Sequence, residues 1–171
     1  MSEKLIIVDE NDNQISTGEK LKIHQQGILH RCFSIFVFNS EGNLLLQKRS
    51  RSKYHSGGLW TNTCCSHPMD GEDIKIAVHR RLKEEMGFDC NLKELFSFIY
   101  KAELDNNLME HEYDHVFSGV YDGEIVANPE EVEDFRWIKP ELLLEEINCE
   151  PEHFTVWLPI ALKKIIELNY P

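Results

Sequence analysis

Residues Glu72–Phe88 read EDIKIAVHRRLKEEMGF. Within them Ile74, Ala77, Val78, Leu82 and Met86 recur at three- and four-residue intervals, which predicts an amphipathic helix over Glu72–Met86. Glu72 and Asp73 put negative charge in the first turn, where the helix dipole favours it. Gly87 supplies a residue on which the helix can stop. A helix with one apolar stripe must lay it on another layer, and the flanking sequence reads as strands.

Upstream, Leu5–Val8 and Ile15–Gly18 flank the turn-formers Asp9–Gln14 and predict an opening hairpin. Arg31–Phe38 and Asn43–Gln47 flank a turn at 39–43 and predict a second, central hairpin. Ser50–Pro68 shows neither period and reads as a long loop of the kind that carries function. Downstream, Leu92–Tyr100 and Leu108–Tyr121 are expected as strands around Asp105-Asn106-Asn107, with further strands at Glu124–Ala127 and Val132–Ile138. Pro140–Ile147 and Thr155–Leu168 are expected as helices, Pro159 being tolerable near the start of the second or at a kink. Strands outnumber helices and no repeat is visible. The expectation is an α/β fold (α+β in strict usage): a mixed sheet sandwiched between helices in one domain over 1–171, with an N-terminal hairpin and C-terminal helices added.

The chain has 171 residues, 42% hydrophobic and 28% charged, enough for a substantial core. Its net charge of −12 argues against general binding to nucleic acid or anionic membranes. No apolar run approaches the roughly 20 residues of a membrane span. The start, Met1-Ser-Glu-Lys-Leu-Ile-Ile-Val, has too brief an apolar core for a signal peptide, so a cytoplasmic protein is expected. Five cysteines without framework spacing (Cys32, Cys64, Cys65, Cys90, Cys149) read as reduced thiols.

Three groups of residues can carry chemistry. His24, His30, His67, Glu110 and Glu112 are scattered, but Glu110 and Glu112 emerge on one face of an extended strand, with Asp114 next in the row. Carboxylates so placed repel unless a cation lies between them, and imidazole with carboxylate suits Mn, Zn or Fe. The second group is the helix itself. Glu72, Arg80, Leu82, Glu84, Glu85, Gly87 and Phe88 fall on the pattern G-x5-E-x7-R-E-U-x-E-E-x-G-U, the Nudix box. Ser66 replaces its leading Gly and Arg81 its second Glu. Exchanging that acid for a guanidinium trades a metal-side charge for a phosphate-side one, so holding a diphosphate is favoured over cleaving it. The third group is Thr61–Pro68, TNTCCSHP.

Together with the altered box and the triplet Glu110-His111-Glu112, TNTCCSHP resembles type I isopentenyl diphosphate isomerase, a Nudix-fold family, over about Lys20 to Trp157. The resemblance implies an intramolecular oxidoreductase that transposes a C=C bond in isoprenoid biosynthesis, turning isopentenyl into dimethylallyl diphosphate without a redox cofactor. It implies His24, His30, His67, Glu110 and Glu112 as ligands of Mn2+ or Zn2+, and Glu85 as a holder of Mg2+ against the substrate diphosphate. Cys65 and Glu112 match the acid/base pair, in either order. Tyr100 and Trp157 match positions beside the reacting centre, and Lys20, Arg49, Lys53 and Arg81 match diphosphate contacts. The expected partner is this small isoprenoid diphosphate, with no nucleic acid, membrane or obligate protein partner.

Lys48, Arg49, Arg51 and Lys53 lie within six positions, giving a local +4 on which a small dianion can be focused. An aromatic wall suits the reaction, because protonating an alkene makes a tertiary cation that water would capture. Two rivals are a Nudix hydrolase of a nucleoside or other diphosphate, and a non-catalytic Nudix-fold module that binds metal or diphosphate. Arg81 and the Cys65/His67 loop oppose the first; Cys65, Glu112 and the aromatics would be wasted in the second.

Overall fold

The computed structural model describes residues 4–168 and 170. Met1, Ser2 and Glu3, part of the start read against a signal peptide, lie outside them. Among the described residues no helix is long and apolar enough to cross a membrane.

Lys4–Val8 (β1) and Gln14–Glu19 (β2) form the expected opening hairpin, whose turn is tied by Asp9 accepting the backbone N–H of Asn11 and Asn13. Lys20–Gln26 (α1), which sequence reading does not anticipate, ends on Gly27 in the left-handed conformation. His30–Phe38 (β3) and Leu44–Arg49 (β4) follow. They pair only at Phe38↔Leu44, so the second hairpin holds at its turn and then splays. The long segment Ser50–Pro68 is not wholly loop: Trp60–Thr61 (β5) pairs with β4, and Cys64–Ser66 (β6) pairs with β3.

Ile74–Met86 (α2) is the helix expected from its spacing, but it starts later. Glu72 precedes it and Asp73 is its N-cap, accepting the N–H of Lys75 at 2.8 Å. Lys93–Glu103 (β7) and Met109–Val120 (β8) pair antiparallel, and β8 runs parallel to β3 from His30↔Glu112 to Phe38↔Val120. Val132–Ile138 (β9) pairs antiparallel with β4. Pro140–Cys149 (α3) and Leu158–Glu167 (α4) close the chain; α4 starts three residues after the expected Thr155, with Pro159 in its first turn, where a missing N–H costs nothing.

The sheet is therefore mixed and covered on both sides. Phe33, Ile35 and Val37 of β3 pack towards Ala77, Val78, Leu82 and Met86 of α2. Phe36 and Phe38 pack on the other side with Leu143, Leu158, Leu162 and Ile165 of α3 and α4. A strand apolar on both faces belongs in the middle, as β3 does.

Glu124–Ala127, expected as a strand, forms none. It crosses the end of α2 instead, with Asn128 N–H donating to the Glu85 carbonyl at 2.8 Å. Gly87 makes that crossing possible: its φ is +76°, and a Cβ built on it would lie 2.1 Å from the Val126 carbonyl oxygen. Gly87→Ala is expected to destabilise the protein by about 2–3 kcal/mol, from backbone strain plus overlap with main-chain atoms. At this chain length that lowers Tm by about 4–12 °C, to be read by calorimetry.

Candidate active site

Strand register builds the centre of the site. Tyr100 of β7, Glu112 of β8 and His30 of β3 are consecutive partners across three strands, so their side chains share one face. Glu110 lies two residues before Glu112 on that face. His24 comes from α1 and His67 follows β6. The ring nitrogens gather on the two carboxylates: His24 Nε2 is 3.2 Å from Glu110 Oε2, His30 Nε2 is 3.4 Å and His67 Nε2 3.0 Å from Glu112 Oε1. Tyr100 donates its hydroxyl to Glu112 Oε2. The structure thus brings together the five scattered residues singled out from sequence.

Burial raises the cost of every charge here. Burial and the charge of Glu112 push the Glu110 carboxyl up. Burial acts on Glu112 in the same sense, but the approach of His30 and His67 outweighs it and holds Glu112 well below the usual carboxylate range. Burial pushes His67 down to about 4. In His24 the same effect is overcome by Glu110, which raises it. Asp114, next in the row, is pushed up to about 7 by burial and by Glu112, and accepts from the Ser34 hydroxyl.

The donor set fits a divalent cation. His24, His30, His67 and Glu112 each offer an atom within 4.8 Å of the others. Glu110 Oε2 and His30 Nε2 are buried, and their contacts to His24 and Glu112 are too poorly aligned to count as hydrogen bonds. Orphaned buried atoms of this kind are costly unless something else satisfies them, and a metal would do so.

A cavity of about 330 Å³ opens beside this cluster, lined among others by Cys65, Glu112, Trp157, Arg49, Lys53 and Arg81. Lys20, His67, Glu85 and Glu110 also reach its wall. In β6, Cys65 pairs with Ser34 and Cys64 with Ile35, so the adjacent thiols point to opposite faces. Cys64 is wholly buried against α2, whereas Cys65 faces the cavity. Burial pushes the Cys65 thiol up to about 12 even though Arg49, whose Nη1 lies 3.6 Å from Sγ, opposes the shift. Trp157 is anchored by Asn62, which accepts its indole N–H at 3.2 Å, and the Arg49 guanidinium lies over its ring, 5.5 Å from the centre.

The basic run does not form the expected +4 patch. Strand alternation turns Lys48 away from the cavity, and it and Arg51 both pair with Glu133. Arg49 and Lys53 alone of the four line the cavity. Lys53 and Arg81 share Glu131, a residue sequence reading missed, and Arg81 also bonds Glu84 at 2.6 Å and Glu85 at 2.5 Å. Glu85 in turn accepts from the buried Gln47 amide at 2.8 Å. Glu72 and Arg80 of the altered box form a two-pronged pair at 2.7 Å, which fixes the segment entering α2. His55 is the second residue missed. It is buried, with Nε2 3.4 Å from Glu110 Oε1.

Residues 28–158 match the NUDIX domain model. Over 171 residues the chain is 57% identical to isopentenyl-diphosphate Delta-isomerase 2 of Photorhabdus laumondii subsp. laumondii, an alignment covering 99% of this chain and 94% of that one. The chain belongs to the isopentenyl-diphosphate Delta-isomerase family, within the NUDIX fold. The Serratia proteamaculans isopentenyl-diphosphate Delta-isomerase is 49% identical, covering 96% of this chain and 92% of that protein. Among solved structures, a Deinococcus radiodurans protein, DR0079, superposes with a TM-score of 0.80 at 21% identity, over 95% of this chain and 98% of its own. The MutT protein of Methanosarcina mazei Go1 does so at 0.68 and 18%, over 84% and 96%. The last two establish the shared fold, and the isomerase family membership rests on the first pair.

Proposed function

We propose that the protein interconverts isopentenyl and dimethylallyl diphosphate by moving one proton on and another off the five-carbon chain. The observation that carries this reading is the placement of a thiol, a carboxylate, an indole and several cations around one cavity. Cys65 is the acid: its S–H bond breaks as a C–H bond forms at the terminal methylene of the alkene, leaving a tertiary cation. Glu112 is the base: it takes a proton from the neighbouring methylene, and that electron pair closes the new double bond. Burial favours the neutral thiol, and His30 and His67 favour the charged carboxylate, which is the proton distribution this direction needs. The reverse reaction exchanges the two roles.

The Trp157 face stabilises the transient cation, worth about 2 kcal/mol or more where water is excluded. Tyr100 holds one oxygen of Glu112. Mn2+ or Zn2+ would be held by His24, His30, His67, Glu110 and Glu112, and Mg2+ by Glu85 with the diphosphate; such ions supply charge neutralisation and fix their ligands in place. Lys20, Arg49, Lys53 and Arg81 bind the diphosphate.

Proton NMR of the protein with Mg2+ and isopentenyl diphosphate in deuterated water is the direct test. Dimethylallyl diphosphate carrying deuterium supports the reading, and release of phosphate in its place would support a hydrolase. Arg81→Gln is expected to raise KM about 10- to 100-fold with a smaller fall in kcat, since a charge-assisted hydrogen bond to phosphate contributes about 1.5–3 kcal/mol. Steady-state kinetics that moved kcat alone would remove Arg81 from the binding wall.

A further inference from the structure

His55 lies outside the group of five and sits in the turn at 51–58, yet its ring is almost fully buried against that cluster. Its centroid is 5.5 Å from that of His24 and 4.5 Å from that of Tyr54. The ring presents Nε2 to Glu110 Oε1, whereas His24 presents Nε2 to the opposite oxygen, Oε2. His24 belongs to both possible ligand groups, His24/His30/His67/Glu112 and His24/His55/Glu110. Glu110 thus turns Oε2 toward His24, the histidine shared with His30, His67 and Glu112, and Oε1 toward His55.

One tautomer suits both neighbours of the ring. Ser56 Oγ is 3.2 Å from His55 Nδ1 and can donate there, and with the ring proton then on Nε2 that nitrogen faces Glu110 Oε1 at 3.4 Å. The turn is built to hold this arrangement. Ser56 takes the left-handed conformation at φ +50°, uncommon for a residue with a side chain, and the His55 carbonyl accepts from Arg49 Nη2 at 3.3 Å.

We propose that His55 is a positioning residue of the metal site, its Nε2–H fixing one oxygen of Glu110 so that the other is presented to a divalent cation. This rests on the reading of the cluster as a metal centre. Ligating carboxylates are commonly held by such outer hydrogen bonds, whose loss costs about 10- to 100-fold in metal affinity.

The test titrates the metal-stripped full-length protein with Mn2+, followed by electron paramagnetic resonance, with pulsed measurements counting the imidazoles bound to the ion. Wild type is expected to show three. His55→Phe is expected to weaken Mn2+ binding 10- to 100-fold and still show three, while His55→Gln, which keeps an N–H donor, recovers most of the affinity. Ser56→Ala, which removes the tautomer lock, is expected to weaken it several-fold and serves if the Phe variant does not fold. Loss of one imidazole in His55→Gln, from four to three or from three to two, would make His55 a ligand and overturn the proposal. So would unchanged affinity in both Ser56→Ala and His55→Phe, or in Ser56→Ala alone where the Phe variant does not fold. Absence of imidazole-bound Mn2+ in wild type would overturn the metal reading itself and this inference with it.

Discussion

Cys65→Ala is expected to lower kcat for isomerisation by about 10²- to 10⁴-fold, the usual contribution of a positioned proton-transfer group, while KM for the diphosphate changes little. The thiol faces the cavity and accepts from Arg49, so its removal leaves the imidazole and carboxylate contacts intact. Metal content measured by mass spectrometry should therefore match wild type. The adjacent cysteine provides the control: Cys64→Ala empties a fully buried position against α2 and should lower Tm with little change in turnover. An active Cys65→Ala protein would remove the thiol from the mechanism.

Glu112→Gln is expected to have a comparable or larger effect, because one side chain is asked to do two things. Its Oε1 gathers His30 and His67, and its Oε2 accepts from Tyr100. The amide has no negative charge to attract a cation and no basicity to take a proton. The expected outcome is loss of bound metal together with loss of deuterium incorporation, read by metal analysis and proton NMR. Glu110→Gln separates the two roles: it should weaken metal binding, and activity should return in part at high Mn2+. If Glu112→Gln kept its metal and its turnover, the acid/base assignment would fail.

Much of this was legible in the sequence because it is written in local spacing. The period of Ile74, Ala77, Val78, Leu82 and Met86 announces α2, and the two-residue step between Glu110 and Glu112 announces a shared face. The splaying of β3 from β4 was not legible, since their partners β8 and β9 lie some 80 to 95 residues away. Seven residues of α1 are too few to show a period, and its one clear signal is Gly27, the left-handed stop. Glu124–Ala127 has strand-like composition but is held by the end of α2. The basic run failed as a patch because Glu133 and Glu131 return to it from the start of β9 and the turn before it. His55 escaped notice because a single histidine in a Gly- and Ser-rich turn carries no spacing signal; only the fold shows it against Glu110.

The opposed orientation of Cys64 and Cys65 bears on how the protein meets peroxide or oxidised glutathione. A ring closed between neighbouring sulfurs would need both on one side of the chain, and β6 forbids this without breaking its ladder to β3. The chain therefore cannot lock itself into a crosslinked, inactive form at this pair, and burial, which keeps the cavity-facing thiol neutral, also slows its capture by an oxidant.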